Sequence, residues 1–422
     1  MFMGCGRMEK NYRVTTFVMD SGERYCMVVD RATGLPMYYP TLFLTTQIRN
    51  RGNAFSTTLA AANNLVLLLR FVDRRGINLE QRFLNKDFFK PHELDDLRDF
   101  AQCKQGKKPL MVPSNPWLED ATINTVDNGT QHSRLTTFAN YLRWYAMHIL
   151  KTPELEVVEQ INAMAEQTKM RRPSKKGRNS DLQDRSLSDV QLDALFELIQ
   201  PGSESNPFSI DVQRRNRLMI LLLFYLGIRG GELLNIRIQD IDFSTNRIRV
   251  VRRADERADS RTNEPNAKTR ERLLPLAESL VQELHSYITQ DRRNVRNAKK
   301  NDYLFVTYKR GPTVGNPISK ASYHKIFSLV KDVSPQLYGV TGHSLRHTWN
   351  RKFSERMDVM DEQVSEERQE QVRSYLMGWR AGSGTAATYN KRFIQQKGFE
   401  AALALQKANG TRLPEDLKND DE

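Results

Sequence analysis

Cysteine is scarce in this chain: three in 422 residues, at Cys5, Cys26 and Cys103, with no CxxC or Cys/His spacing. That excludes a disulfide framework and gives no zinc signature, so no metal is expected and a reducing, cytoplasmic compartment fits. Long apolar runs are lacking too. The longest, "LMILLLFYLGI" at 218–228, ends against Arg229 and falls far short of the roughly 20 residues a membrane span needs. It reads as a buried helix, and no membrane partner is expected. The first residues lack the basic-then-apolar pattern of a secretory leader.

Basic residues are abundant. Lys and Arg total 64 against 51 acidic residues, a formal charge of +13, which points to a polyanionic partner, with nucleic acid foremost. At 422 residues and 39% hydrophobic content, the chain is long enough for two or three domains with real cores.

Periodicity divides the chain. Residues 1–48 form a β-rich segment, where "YRVTTFVMD" and "YCMVV" alternate about "SGER" and "ATGLPMYYPTLFL" follows; it is a candidate accessory DNA-binding module. Residues 49–168 read as a helical domain, with apolar residues at three-four spacing in "STTLAAANNLVLLLRFVDRRGI" and "TTFANYLRWYAMHIL". A basic linker at 169–185, opening "KMRRPSKKGR", offers Lys169, Arg171, Arg172, Lys175 and Lys176 to phosphates. Residues 186–407 are mostly helical, with strands in "IDFSTNRIRVVRR" and "ERLLPL" around a polar stretch at 254–270. Residues 408–422 are an acidic tail. The expected class is mainly α with small β-sheets (α+β).

Certain polar residues sit beside these apolar runs. Arg229 follows the buried helix in "YLGIRGGELLNI", with Glu232 close enough to orient its guanidinium. "GHSLRHTWN" places His343 and Arg346 one helical turn apart, on one face of a helix starting near Thr341 or Ser344. His347 points about 100° away from Arg346 and reads as a supporting, packing residue. Lys268 lies in the polar stretch before "ERLLPL", with Arg270 and Lys309 in neighbouring stretches. Trp379 and Tyr389 flank a run of small residues in "YLMGWRAGSGTAATYNKRF". Singly, each of these has a structural explanation as ion-pair partner, satisfied polar group or packing residue. Their joint order is more specific.

Arg, Lys, His-x-x-Arg, Trp and Tyr in that order resemble the signature of the tyrosine recombinases, the phage integrase family, over about Ser186 to Ala404, and the helical region before it is similar to their core-binding (SAM-like) domain. The resemblance implies that Arg229, His343 and Arg346 hold the scissile phosphate, with Glu232 and His347 in support. It also implies that Lys268 is the general acid, that Trp379 packs or donates its indole N–H, and that Tyr389 is the nucleophile. The implied partner is double-stranded DNA at specific sites, the implied assembly a homo-tetramer, and the cofactor none. The charged stretch at 358–373 departs from compact members and reads as an insertion. A type IB topoisomerase, or a catalytically silent DNA-binding accessory protein on the same fold, is the alternative.

The residue types suit that chemistry. Charge that builds on the non-bridging oxygens of a five-coordinate phosphorus is met by two guanidiniums, planar forks that keep their charge at working pH. Each such donor is worth about 3–4 kcal/mol by analogy with oxyanion holes. A phenol of pKa near 10 needs that electrostatic help to attack, and the 5′ oxygen leaves well only when a positioned acid protonates it. Tyr375 lies inside a regular helical pattern and is expected to pack or cap it. Tyr389 follows "AGSGTAAT", whose small residues give its segment freedom to reach the phosphate. The segment 393–407 carries an apolar face, with Phe399, Ala402 and Leu403, suited to docking on a neighbouring protomer.

Overall fold

β-branched and aromatic residues alternating about a glycine turn build the first element, an antiparallel hairpin of β1 (Tyr12–Val18) and β2 (Arg24–Asp30), turned at Gly22 with φ +91°. In this computed structural model the described residues are 11–104, 125–173, 185–265, 270–358, 365–380, 398 and 401–405, and the chain forms two units, Met1–Leu182 and Gln183–Glu422.

In the first unit the hairpin is part of the helical core. Cys26 and Val28 are fully buried in one cluster with residues of the helices that follow. At the strand's edge, Tyr12 donates its hydroxyl to Asp73 (3.0 Å) and Arg70 donates to the Tyr12 carbonyl (3.2 Å). Residues 11–48 thus share the core of the helical unit. The segment does not continue as strand: one bridge, Val29 to Pro36, precedes the helix α1 (Tyr38–Phe43), which widens into a π turn over Leu44–Ile48. Pro40 falls in the first turn, where no backbone N–H is needed, and Phe43 with Leu44 turns the segment's apolar residues into the core.

α2 (Phe55–Arg74) follows, with Ala61, Leu65, Leu68 and Val72 buried at helical spacing. It is a described helix long and apolar enough to cross a membrane, which the apolar run at 218–228 had obscured, but here its apolar face packs in the core. α3 (Leu79–Leu84), α4 (Pro91–Gln102), α5 (Asn128–Leu150) and α6 (Leu155–Met170) complete the unit. Asn78 and Asp127 cap α3 and α5 by accepting the N–H groups of Gln81 and Thr130 (both 3.0 Å).

In the second unit a capping box between Ser188 and Gln191 starts α7 (Asp189–Leu198). α8 (Ile210–Leu226) buries Leu218 to Leu223 without a break, and Gly227, at φ +60°, ends it. The one-turn helix α9 (Gly230–Leu233) leads to a sheet ordered β3 (Ile241–Asp242), β4 (Arg247–Val250), β5 (Arg272–Pro275), all antiparallel. Ile248 pairs with Leu274 on its inward face. α10 (Glu278–Ser286), α11 (Lys320–Val333), α12 (Gly342–Asp358) and α13 (Glu366–Met377) close the unit.

The charged stretch at 358–373 is integral rather than appended where it is described. Ser365 caps α13, and the buried Arg373 stacks over Phe353 of α12 (5.1 Å) and donates to Ser354 (2.8 Å). Of the C-terminal helix, residues 401–405 are helical with exposed side chains.

Because Val28 sits in the helical core, Val28→Ala is expected to lower the stability of the whole first unit by about 2 kcal/mol. Hydrogen exchange of the α2 amides measures this; an independent hairpin would leave those amides unchanged.

Candidate active site

The end of α8 sets the site. A Cβ at Gly227 would come within 2.7 Å of Met377 and 2.8 Å of Trp349, so glycine is required both by the left-handed backbone and by contact. Its carbonyl accepts a hydrogen bond from Arg346 Nη1 (2.6 Å), and Arg346 Nη2 donates to the Met377 carbonyl (3.0 Å). Arg346 is 1% exposed, with its guanidinium 5.5 Å from the centre of the Trp379 ring. One side chain on α12 thus ties the end of α8 to the end of α13. Trp379 is buried against Met377 and Trp349, and Trp349 donates its indole N–H to the Tyr225 carbonyl (3.0 Å).

Arg229 is the cap of α9. Glu232 Oε2 accepts its backbone N–H (2.9 Å), while the two side chains approach no closer than 3.9 Å. Glu232 thus holds Arg229 through the backbone, with the guanidinium in a longer ion pair to the same carboxylate. Its fully buried carboxylate takes a two-bond fork from Arg272 (2.9 and 3.2 Å), whose Nε donates to the Leu376 carbonyl (2.6 Å). Arg229 keeps a side chain 38% exposed, and so faces outward where Arg346 does not.

α12 begins with a reciprocal cap, Ser344 N–H to Thr341 Oγ1 (2.9 Å) and Thr341 N–H to Ser344 Oγ (2.8 Å). This sets His343 in its first turn, with its Nε2 3.0 Å from that of His347. One proton fits between two such nitrogens, so the rings cannot both be cations. The surrounding protein and the charges of Arg346, Arg185 and Arg229 hold the His343 pKa below its ordinary 6.5. His343 is therefore neutral near pH 7. His347 touches His343 directly.

Lys268 and Tyr389 lie outside the described residues, as do Lys175 and Lys176. The approach to Lys268 is nonetheless well anchored. Arg253 pairs with Asp240 (2.8 and 2.6 Å) and Arg237 with Glu256, while the buried Arg261 binds Asp259 (2.8 Å), Asn235 (2.9 Å) and the Leu234 carbonyl (2.9 Å). On the far side, the Arg270 N–H donates to the Gly378 carbonyl (3.1 Å), next to Trp379. The described residues on either side of Lys268 are thus each held by the fold. Lys309 is exposed in another turn.

Tyr375 is 57% exposed, and its carbonyl accepts the Gly378 N–H at the end of α13 (3.0 Å). It lines a groove of about 630 Å³ with Arg270, Glu271, Glu367, Glu370 and Trp379. Three carboxylates make that groove hostile to phosphate, in contrast to the adjoining cluster of Arg229, His343 and Arg346. Lys169 and Arg171 fold onto the first unit, paired with Glu166 (2.8 Å) and Asp95 (2.7 Å), and Arg172 donates to the Lys169 carbonyl (2.8 Å). Glu166 and Asp95 are more than half exposed, and such pairs are worth about 0–1 kcal/mol, so phosphate can compete for these cations.

Sequence reasoning missed Arg272. Its signal was there: Arg272 shares the inward face of "ERLLPL" with the buried Leu274, and a charge on an inward face needs a buried partner. Among the described residues, no group of three or more His, Cys, Asp or Glu is placed to hold a metal.

Residues 187–391 match the phage integrase family. The tyrosine recombinase XerD of Halalkalibacterium halodurans is 26% identical over 161 residues, 38% of this chain and 46% of that protein. The chain thus spans about half the length of such curated relatives. Transposase A from transposon Tn554 of Staphylococcus aureus is 22% identical over 317 residues, 73% of this chain and 78% of that one. Among solved structures, the Tn1549 transposon integrase in complex with circular intermediate DNA gives a TM-score of 0.47 at 17% identity, covering 86% of this chain and 98% of that one.

Two outcomes follow. Arg272→Ala strands the Glu232 carboxylate without its buried partner and is expected to cost about 3–5 kcal/mol, whereas Arg272→Met with Glu232→Gln costs less; urea unfolding ranks the two. For His343, the unfolded chain takes up a proton near pH 6.5 that the native state resists. The stability contributed by neutral His343 is present above that pH and is lost as pH falls below it. Urea midpoints of the wild type should therefore drop between about pH 7 and 5, and His343→Gln should show a shallower fall.

Proposed function

As residues 187–391 make this chain a member of the phage integrase, or tyrosine recombinase, family, we propose that it is a site-specific DNA recombinase serving integration, excision or transposition of a mobile element. The reading is carried by one observation: three sequence-distant segments bring Arg229, His343 with Arg346, and Trp379 into one cluster of the second unit.

In this reading the Tyr389 oxygen attacks the scissile phosphorus as its phenol proton passes to neutral His343. The P–O5′ bond breaks, a 3′-phosphotyrosyl bond forms, and Lys268 delivers the proton to the leaving 5′ oxygen. Arg229, the more exposed of the two arginines, meets the non-bridging oxygens together with neutral His343. Arg346, bound to two carbonyls, holds the walls of the pocket around them and lends its charge from below. Trp379 supports Arg346 as a packed aromatic face. The phosphotyrosyl bond conserves the energy of the backbone bond, so a 5′ hydroxyl of another strand can reverse the step without ATP or cofactor.

The helical first unit and the basic residues Lys169, Arg171, Arg172, Lys175 and Lys176 would clamp the duplex, through contacts that weaken as salt rises. The segment 393–407, with Leu403 and Leu405 40% and 64% exposed, would dock on a neighbouring protomer in a homo-tetrameric synapse. The reaction belongs to the cytoplasm, at the nucleoid if the host is bacterial.

A nicked suicide substrate tests the chemistry. The wild type is expected to trap a 3′-linked adduct on Tyr389, located by proteolysis and mass spectrometry, and Tyr389→Phe to abolish it with DNA binding unchanged within about two-fold. An adduct on Tyr375, or a 5′ linkage, rejects the mechanism; relaxation of supercoils without joining of two sites identifies a topoisomerase instead.

A further inference from the structure

Two glycines of the site are not required by backbone conformation. Neither Gly230, directly after Arg229, nor Gly342, directly before His343, has a positive φ. Contact decides their identity, and the contact is the same at both: the phenol of Tyr323. A Cβ at Gly230 would lie 2.6 Å from both Cζ and Oη of Tyr323. A Cβ at Gly342 would collide with the Tyr323 oxygen and lie 3.1 Å from its Cζ, with Leu223 Cδ1 at 3.5 Å.

Tyr323 itself is firmly seated. It lies in the first turn of α11, where its N–H donates to the Ser319 carbonyl (3.0 Å), and its ring meets Phe327 edge-on at 5.2 Å. It is 7% exposed, and burial raises its pKa, so the ring presents a neutral phenol to the two glycines. The start of α11 is in turn tied to the polar connection before Lys268, with Lys320 donating to Asn263 (3.0 Å) and the Ile318 carbonyl accepting from Arg261 (3.3 Å).

We propose that Tyr323 is a positioning residue for strand cleavage, a rigid spacer against which the starts of α9 and α12 close, so that its ring and hydroxyl set the separation of Arg229 from His343. This rests on the recombinase reading above. The two groups sit on separate helix starts, each following or preceding a glycine that lies against the Tyr323 ring. Van der Waals contact through that one buried ring spaces the two starts. A spacer works by repulsion at short range, which is why both glycines must lack a Cβ. Moving one helix start by about 1 Å is enough to slow a positioned reaction about 100-fold.

The geometry makes an asymmetric prediction. At Gly342 the collision is with the oxygen, and removing it leaves the 3.1 Å contact, which small shifts relieve. At Gly230 the ring carbon is as close as the oxygen, so removing the oxygen does not help. Single-turnover cleavage of a suicide substrate at saturating DNA, with DNA affinity and thermal melting measured on the same full-length proteins, reads this out. Tyr323→Phe alone, which takes the hydroxyl from the spacer and leaves its ring, is expected to slow cleavage several-fold with affinity unchanged. Gly342→Ala should slow cleavage about 100-fold with affinity unchanged, and adding Tyr323→Phe should restore most of the rate. Gly230→Ala should slow it as much, with no rescue by Tyr323→Phe. If Gly342→Ala fails to fold, the double variant must recover both fold and cleavage. The spacer is rejected if Gly342→Ala cleaves at the wild-type rate, if Tyr323→Phe fails to rescue it, or if it rescues both glycine variants alike. A wild type that forms no adduct rejects the recombinase reading itself.

Discussion

The buried carboxylate of Glu232 is the contact on which the rest of the second unit's site depends. It is fully enclosed, and it joins three elements: the Arg229 backbone at the start of α9, the Arg272 guanidinium on β5, and, through Arg272, the last carbonyls of α13. A buried carboxylate without a cation would be costly, so Arg272 is required wherever Glu232 is. What the pair contributes is less net stability than placement. It holds Arg229 where its side chain reaches solvent, and it brings β5, whose approach carries Lys268, against the segment bearing Trp379.

Arg346 performs a parallel task with a different economy. Its two carbonyl partners, Gly227 and Met377, mark the ends of α8 and α13, and both helices end there in a left-handed glycine, Gly227 and Gly378. Two arginines of one signature therefore divide the work: Arg346 is inside the fold, Arg229 at its surface. Between them His343 is kept neutral by its surroundings and in contact with His347. A neutral imidazole can accept or donate a proton near pH 7, whereas a third fixed cation could not.

The sequence was most legible where periodicity and punctuation agree. The run at 218–228 followed by glycine and arginine announced a buried helix and a polar residue at its end, and both are found. The strands "IDFSTNRIRVVRR" and "ERLLPL" appear where alternation places them. It misled where local pattern was ambiguous. "LPMYYPTLFL" is rich in β-formers, yet it turns helical because burying Phe43 and Leu44 together on one core decides the matter. In the charged stretch at 358–373, nothing local distinguishes Arg373, which packs on Phe353, from the solvated residues around it.

By itself, then, the sequence determined the residue types and their order along the chain: an arginine after a core helix, a histidine and an arginine one turn apart, a tryptophan, and a tyrosine behind small residues. These follow from short-range rules that a few neighbouring residues obey. The tertiary structure alone decided which partner each charge takes. Glu232 takes a two-bond fork from Arg272, 40 residues away, besides the nearby Arg229, and Tyr323 lies against two glycines from separate helices. Such pairings depend on distances between elements, which are set when the whole core closes and which no spacing within one segment records.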